Sequence, residues 1–207
     1  MSWADCFAQV PDEVTVDEIR EALTEHRAAS DADGSDADES DASGARASEL
    51  PEPSPTRVVA DADVLAADLC LGGDARRALD PLWEHSWSTL VASDRLVDDA
   101  EAVIESVGGQ ALAADWRDCI DHWREPVDQP AGDHPALASA YRGGAMHILS
   151  FDENLTASGT GLALHERFPV SVRQPDAFAL LFDPANLYEN EGVGDGPYPG
   201  PDRDPRA

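Results

Sequence analysis

The chain has 207 residues, 42 of them acidic against 14 basic, for a formal charge of −28. Every basic residue is arginine; the absence of lysine excludes Schiff-base and PLP chemistry, a Walker-type phosphate loop and a lysine-assisted phosphoaspartate site. So acidic a chain, rich in Asp, Ala and Val, has the composition of a halophilic, acidic proteome. In 1 M salt the Debye length is only about 3 Å, so its self-repulsion would be screened.

The cysteines, Cys6, Cys70 and Cys119, are scattered without a C-x-x-C pair, which argues against a disulfide framework and a zinc knuckle. The opening MSWADCFAQVPDE has neither a basic n-region nor an apolar h-region, and no apolar run approaches the ~18 residues of a membrane span. The expectation is a soluble, cytoplasmic protein with no membrane partner.

Residues 1–28 predict one short helix, capped by Thr15, with Val16, Ile19, Leu23 and His26 on a narrow stripe. Alone it would be marginal, so it docks on the main domain or binds a protein partner. Residues 29–56, small, acidic and Pro-rich, read as a disordered acidic linker. The main domain is expected over 57–184. It opens with a strand at Arg57–Ala60, then Asp61-Ala62-Asp63, an apolar helix-like segment and a Gly-Gly stop at 72–73. A helix follows from Asp74 to about His85, then a strand at Trp87–Ala92 and a helix capped by Ser93 or Asp94. Ala111–Trp123 reads as a further helix, after which Pro126 and Pro130 break the chain. Asp133 then caps an Ala-rich helix that stops at Gly143-Gly144. The strand Ala145–Leu149 leads to Ser150-Phe151-Asp152, and a strand at Phe168–Val172 and a helix from Pro175 close the domain. Residues 185–207, rich in Gly, Pro and Asp, read as a disordered tail. Alternating strands and helices predict an α/β protein, a three-layer α/β/α domain with a central, mostly parallel sheet.

Four acids occupy matching places on this sketch. Asp61 and Asp152 each follow a strand, Asp99 lies early in a helix, and Asp133 sits at a helix start. In a parallel sheet those places share the edge where ligands bind. Each acid alone has a plainer explanation, as an N-cap, an Asx-turn or a solvated helix residue. Together, converging carboxylates need a compensating cation, and Mg2+ or Mn2+ with oxygen ligands is the natural one. Such an ion activates water and stabilises charge on a phosphodiester.

VVADADVL, ASDRLVDDA, DHPALASAYRGGAMHILSFDENL and PVSVRQPDAFALLF resemble the successive motifs of PIN-domain (PIN-like) nucleases. The resemblance covers about residues 57–183, and the Ser150-x-Asp152 motif is its most specific part. It implies a PIN-like fold and a metal-dependent endoribonuclease, a hydrolase acting on an RNA substrate. Asp61, Asp99, Asp133 and Asp152 would be the catalytic acids and metal ligands, supported by Ser150, Asp63 and Asp98. Two positions depart from the pattern: Asp99 stands where Glu is usual, and Asp63 where a small polar residue is common.

Arg57, Arg76, Arg77, Arg95 and Arg142 are candidates for phosphate contacts. Trp83, Trp87, Trp116 and Trp123 read as packing, with a homodimer face as the alternative suggested by the family's habit of pairing. Of two rival readings, one is a catalytically silent PIN-like interaction module. The other is a small metal-dependent phosphatase of the haloacid-dehalogenase type, whose D-x-D the Asp61-x-Asp63 pair resembles. That pattern wants Thr where Leu65 stands, and a lysine.

Overall fold

A computed structural model describes residues 2–33, 50–130, 133–156 and 169–206. Most of the acidic linker, the TASGTG loop after Thr156 and Phe168 lie outside these described residues.

Two helices, not one, precede the sheet. Helix α1 (Trp3–Phe7) starts at a capping box in which Ser2 and Asp5 bond each other's backbone N–H groups. Helix α2 (Val16–Asp33) starts at a similar reciprocal pair, with Thr15 N–H donating to Glu18 and Glu18 N–H to the Thr15 hydroxyl, as the Thr15 cap predicted. Trp3, Cys6, Ile19 and Leu23 join the same buried cluster as the main domain. For α2, burial of Ile19 and Leu23 is worth roughly 3–6 kcal/mol together, before the cost of ordering the helix.

The main domain runs β1 (Ser54–Ala60), α3 (Ala62–Cys70), α4 (Gly73–Trp83), β2 (Thr89–Ser93), α5 (Asp94–Gly108), α6 (Gln110–Ile120), β3 (Arg124–Val127), α7 (Pro135–Gly143), β4 (Ala145–Leu149), α8 (Glu153–Thr156) and β5 (Ser171–Arg173). The sheet is all parallel, in the order β3-β2-β1-β4-β5, which gives the three-layer α/β/α architecture expected from the alternating pattern. Strand β3 departs from the expected break at Pro126. It is an edge strand, where a missing N–H costs no interior ladder bond.

Chain progression moves outward from β1 to β2 to β3 and then reverses to β4 and β5. Right-handed crossovers therefore put α7 on the opposite face from the helices that join β1 to β2 and β2 to β3. The reversal makes the gap between the carboxyl ends of β1 and β4 the topological switch point of the sheet, where open α/β proteins bind ligands. At the end of α7 an added Cβ on Gly143 would lie 2.2 Å from Val91 Cγ1, so the helix packs directly onto β2.

Beyond β5 come α9 (Pro175–Leu181) and α10 (Pro184–Asn190). The C-terminal segment is a correction to the expected disordered tail. Asp202 accepts from Ser86 N–H at 2.7 Å, and the Tyr198 hydroxyl meets His85 Nε2 at 2.5 Å. Arg206 forms a two-pronged pair with Asp68 at 2.9 and 2.7 Å and lies over the Trp83 ring at 4.5 Å. Trp3 also packs against Trp83 in a tilted arrangement, with ring centroids 5.3 Å apart, so α1 and the C-terminal segment meet at one aromatic cluster. No helix among the described residues is long and apolar enough to cross a membrane.

Candidate functional site

Strand β1 delivers Asp61 to the switch point, where its fully buried carboxylate caps α3 by accepting from Ala62 N–H at 2.8 Å. Strand β4 ends at Ser150 beside it. The Ser150 hydroxyl donates to Asp61 Oδ2 at 3.1 Å and accepts from Asp152 N–H at 3.0 Å. Asp63, in the first turn of α3, is buried as well. Its Oδ2 accepts from Phe151 N–H at 3.0 Å, while its Oδ1 is buried with no hydrogen-bond partner. Burial, followed by the charge of Asp61, pushes the Asp63 carboxyl up to about 8, and the Phe151 N–H opposes that rise. At about 8 the carboxyl holds a proton at neutral pH, although Arg27 works against the rise. Asp99 reaches the same cleft from α5, with its side chain fully buried.

Asp152 is half-buried. Its Oδ1 accepts from Asn154 N–H at 2.8 Å, so it forms the Asx-turn that starts α8 while lying near enough to His134 to act on it electrostatically. Two expected members fall elsewhere. Asp133 is exposed, and the residue that caps α7 is His134, one position on; no contact among the described residues ties the Asp133 carboxylate to the cleft. Asp98 faces α6 instead, paired with Arg117 at 2.6 Å, because neighbouring helix residues point about 100° apart.

The residue that sequence reasoning missed is Arg27. From α2 its Nη2 reaches Asp61 Oδ1 at 2.9 Å, its Nε reaches Asp99 Oδ2 at 2.8 Å, and its Nη1 meets His134 Nε2 at 3.2 Å. Burial alone would lower its affinity for a proton, but Asp61 and Asp99 outweigh that and raise it, so it is a permanent cation here. His26 and Arg95 also approach Asp99, at 3.5 and 3.2 Å. A signal for Arg27 was present. It lies four residues after Leu23 and eight after Ile19, on the very stripe that docks α2.

His134 is held at the cleft by a relay in which Ser93 donates to Gln129 at 2.6 Å and Gln129 donates to the Asp133 carbonyl at 3.0 Å. Burial, aided by Arg27, lowers its proton affinity against the pull of Asp61, Asp152 and Asp99, so the imidazole is neutral. A neutral imidazole has one acceptor nitrogen, so it serves either Arg27 or Ala136 N–H at a time. Among the candidate phosphate-contacting arginines, Arg95 touches the cluster. Arg57 pairs with Glu125, Arg76 with Asp68 and Arg77 with Asp74.

For the Mg2+ or Mn2+ that the resemblance implies, the chemistry of the donors fits. Asp61, Asp63, Asp99, Asp152 and Ser150 are all hard oxygen ligands, and one buried carboxylate oxygen lacks a partner. Their present spacing holds a guanidinium instead: among the described residues no three His, Cys, Asp or Glu side chains are gathered closely enough to hold a metal ion.

Fold and site thus define a three-layer α/β/α protein with a buried acidic cleft at the switch point of a parallel sheet. By its sequence the chain belongs to the family described as "Family of unknown function (DUF7384)", which it matches over residues 52–206. No curated protein and no solved structure matches it. The matched span holds every acid of the cleft and the docked C-terminal segment; α2 and Arg27 precede it.

Proposed function

We propose that the protein is a divalent-metal-dependent endoribonuclease that hydrolyses RNA phosphodiesters at this cleft. One observation carries the reading: Asp61, Asp63, Ser150 and Asp99, delivered by β1, α3, β4 and α5, converge in one buried place at the switch point. The motif resemblance implies Asp61, Asp99, Asp133 and Asp152 as the acids of such a cluster, and Asp133 is the one that lies outside it.

Asp61 and Asp63 would hold the ion from the β1 side and Asp152 from the β4 side, with Ser150 fixing the Asp61 carboxylate by its hydrogen bond. Asp99 would complete the cluster from α5. The ion, when bound, would supply an activated water and neutralise charge on the phosphodiester. Arg95, about half exposed on the rim, would meet the backbone of the substrate. In molar salt counterion release contributes little to RNA affinity, so binding would rest on these short-range contacts and on stacking.

A second reading is favoured by a specific observation. Arg27 already neutralises Asp61 and Asp99, as it would in a catalytically silent interaction module. The test is cleavage of a mixed RNA pool in molar KCl with Mn2+, with EDTA, and with Asp152→Asn in Mn2+. Asp152 is the cleaner probe because it is half-buried and Asn preserves its turn, whereas Asp61→Asn would also unpair Arg27. Cleavage that requires both the metal and Asp152 supports the nuclease. Absence of cleavage by wild type and by a variant lacking Arg27, with no Mn2+ binding by either, supports the silent module. Hydrolysis of a small phosphate monoester with RNA left intact would instead point to the phosphatase.

A further inference from the structure

We propose that helix α2 is a built-in plug of the acidic cleft, with Arg27 filling the position that a divalent cation would take between Asp61 and Asp99. The inference rests on the metal-dependent reading of the site and concerns its regulation.

The contact is specific. One guanidinium bonds two fully buried carboxylates on different elements and touches a third cleft residue, His134. A bound divalent ion and Arg27 would compensate the same negative charge, so binding of either one disfavours the other.

Apart from Arg27, the helix is held by Ile19 and Leu23 in the core and by His26, 3.5 Å from Asp99. Its exposed surface carries Asp17, Glu18, Glu21 and Glu25. Along its seam with α5 runs an open groove of ≈ 330 Å³ lined by Glu13, Glu18, Glu21 and Glu25. Across it the α5 side offers Ser106 and Val107, so among the described residues no ion pair ties these glutamates to the body at the groove.

The chain is also laid out for release. Helix α1 stays anchored through Trp3 on Trp83. Residues 8–15 join α1 to α2, and residues 34–53 join α2 to β1, a stretch whose full extension is on the order of 65 Å. Helix α2 itself packs mainly on α5 and α3, so its departure would uncover Ile19, Leu23 and the cleft while leaving the strand ladder paired.

The test measures Mn2+ binding to the full chain in molar KCl, by electron paramagnetic resonance, for wild type, Arg27→Ala and the same-helix control Arg20→Ala. Hydrogen exchange of the wild-type α2 amides is followed with and without Mn2+. Arg27→Ala should bind Mn2+ about tenfold or more tightly than wild type, Arg20→Ala should match wild type, and Mn2+ should speed α2 exchange. Equal affinities for wild type and Arg27→Ala, or no binding by either at millimolar Mn2+, would overturn the plug. Should Arg27→Ala not fold, the exchange experiment decides alone: faster α2 exchange with Mn2+ supports the plug, and unchanged exchange overturns it. RNA cleavage separates the two readings. An Arg27→Ala protein that binds Mn2+ tightly yet leaves RNA intact refutes the nuclease and keeps the plug. Wild type cleaving as fast as Arg27→Ala refutes the plug and keeps the nuclease.

Discussion

Replacing Arg206 by Ala, next to the chain's end, should destabilise the whole domain. Asp68 is 1% exposed and Arg206 9%, and the guanidinium grips that carboxylate at 2.9 and 2.7 Å while also bonding Asp80 at 2.7 Å. Removing one partner of a buried pair costs about 3–5 kcal/mol, because the other charge stays buried. Arg76 remains 3.7 Å from Asp68, which favours the low end, about 3 kcal/mol. Loss of the cation over Trp83 adds about 1 kcal/mol. The sum, about 4 kcal/mol, corresponds to a melting temperature lower by about 8–16 °C for a chain of this size. Molar KCl should blunt this little, since neither group is open to solvent.

The assay is urea and thermal unfolding followed by tryptophan fluorescence, with Arg206→Ala/Asp68→Asn beside the single variant. Burial raises the Asp68 carboxyl, and Arg206 offsets only part of that rise. The native state thus keeps the Asp68 proton to higher pH than the unfolded chain does. The penalty in Arg206→Ala should be full at neutral pH and shrink on acidification, and the double variant should recover most of it. A loss under about 1 kcal/mol, or a double variant no more stable than the single, would refute the reasoning.

Two further perturbations test other parts of the fold. Burial, with Arg173 nearby, lowers His147 from 6.5 to about 4, so native His147 is neutral where the unfolded chain's His is not. Its contribution, up to about 3 kcal/mol, is full above pH 6.5 and lost as the pH falls toward 4, and His147→Gln should flatten that part of the wild-type stability profile. Identical profiles for the two proteins would contradict it. Gly144 ends α7 at φ +64°, and a Cβ there would lie 2.8 Å from the Glu52 carbonyl. Gly144→Ala should cost about 1–2 kcal/mol in urea unfolding, and an unchanged midpoint would count against that geometry.

The order of strands and helices was legible because hydrophobic period and caps are local. Ala145–Leu149 was placed to the residue, and Ser93 does cap α5. What escaped depended on context. Strand β3 contains a proline that only an edge position tolerates, and sequence does not show which strand is the edge. The C-terminal segment looked disordered by composition, yet a few long-range pairs, Arg206 with Asp68 and Tyr198 with His85, give it order. At the site, Asp61 and Ser150 were readable because each directly follows a strand that ends at the switch point. Asp133 falls one residue before the His134 cap of α7, outside the helix, and Asp98, expected to support Asp99, is turned toward Arg117 by one helical step. Arg27 was overlooked because a charged residue on a docking stripe reads as its frayed end; only the fold reveals two buried carboxylates waiting for it.

The central claim is that the cleft between β1 and β4 is a hydrolytic site closed by Arg27. It is tested most directly by cleavage of a defined single-stranded RNA in molar KCl with Mn2+, comparing Arg27→Ala with Arg27→Ala/Asp152→Asn. The account predicts that the first protein cleaves faster than wild type and that the Asp152 change lowers its rate by about a hundredfold or more. A folded, Mn2+-binding Arg27→Ala protein that leaves the RNA intact, or a rate that Asp152→Asn does not alter, would contradict it.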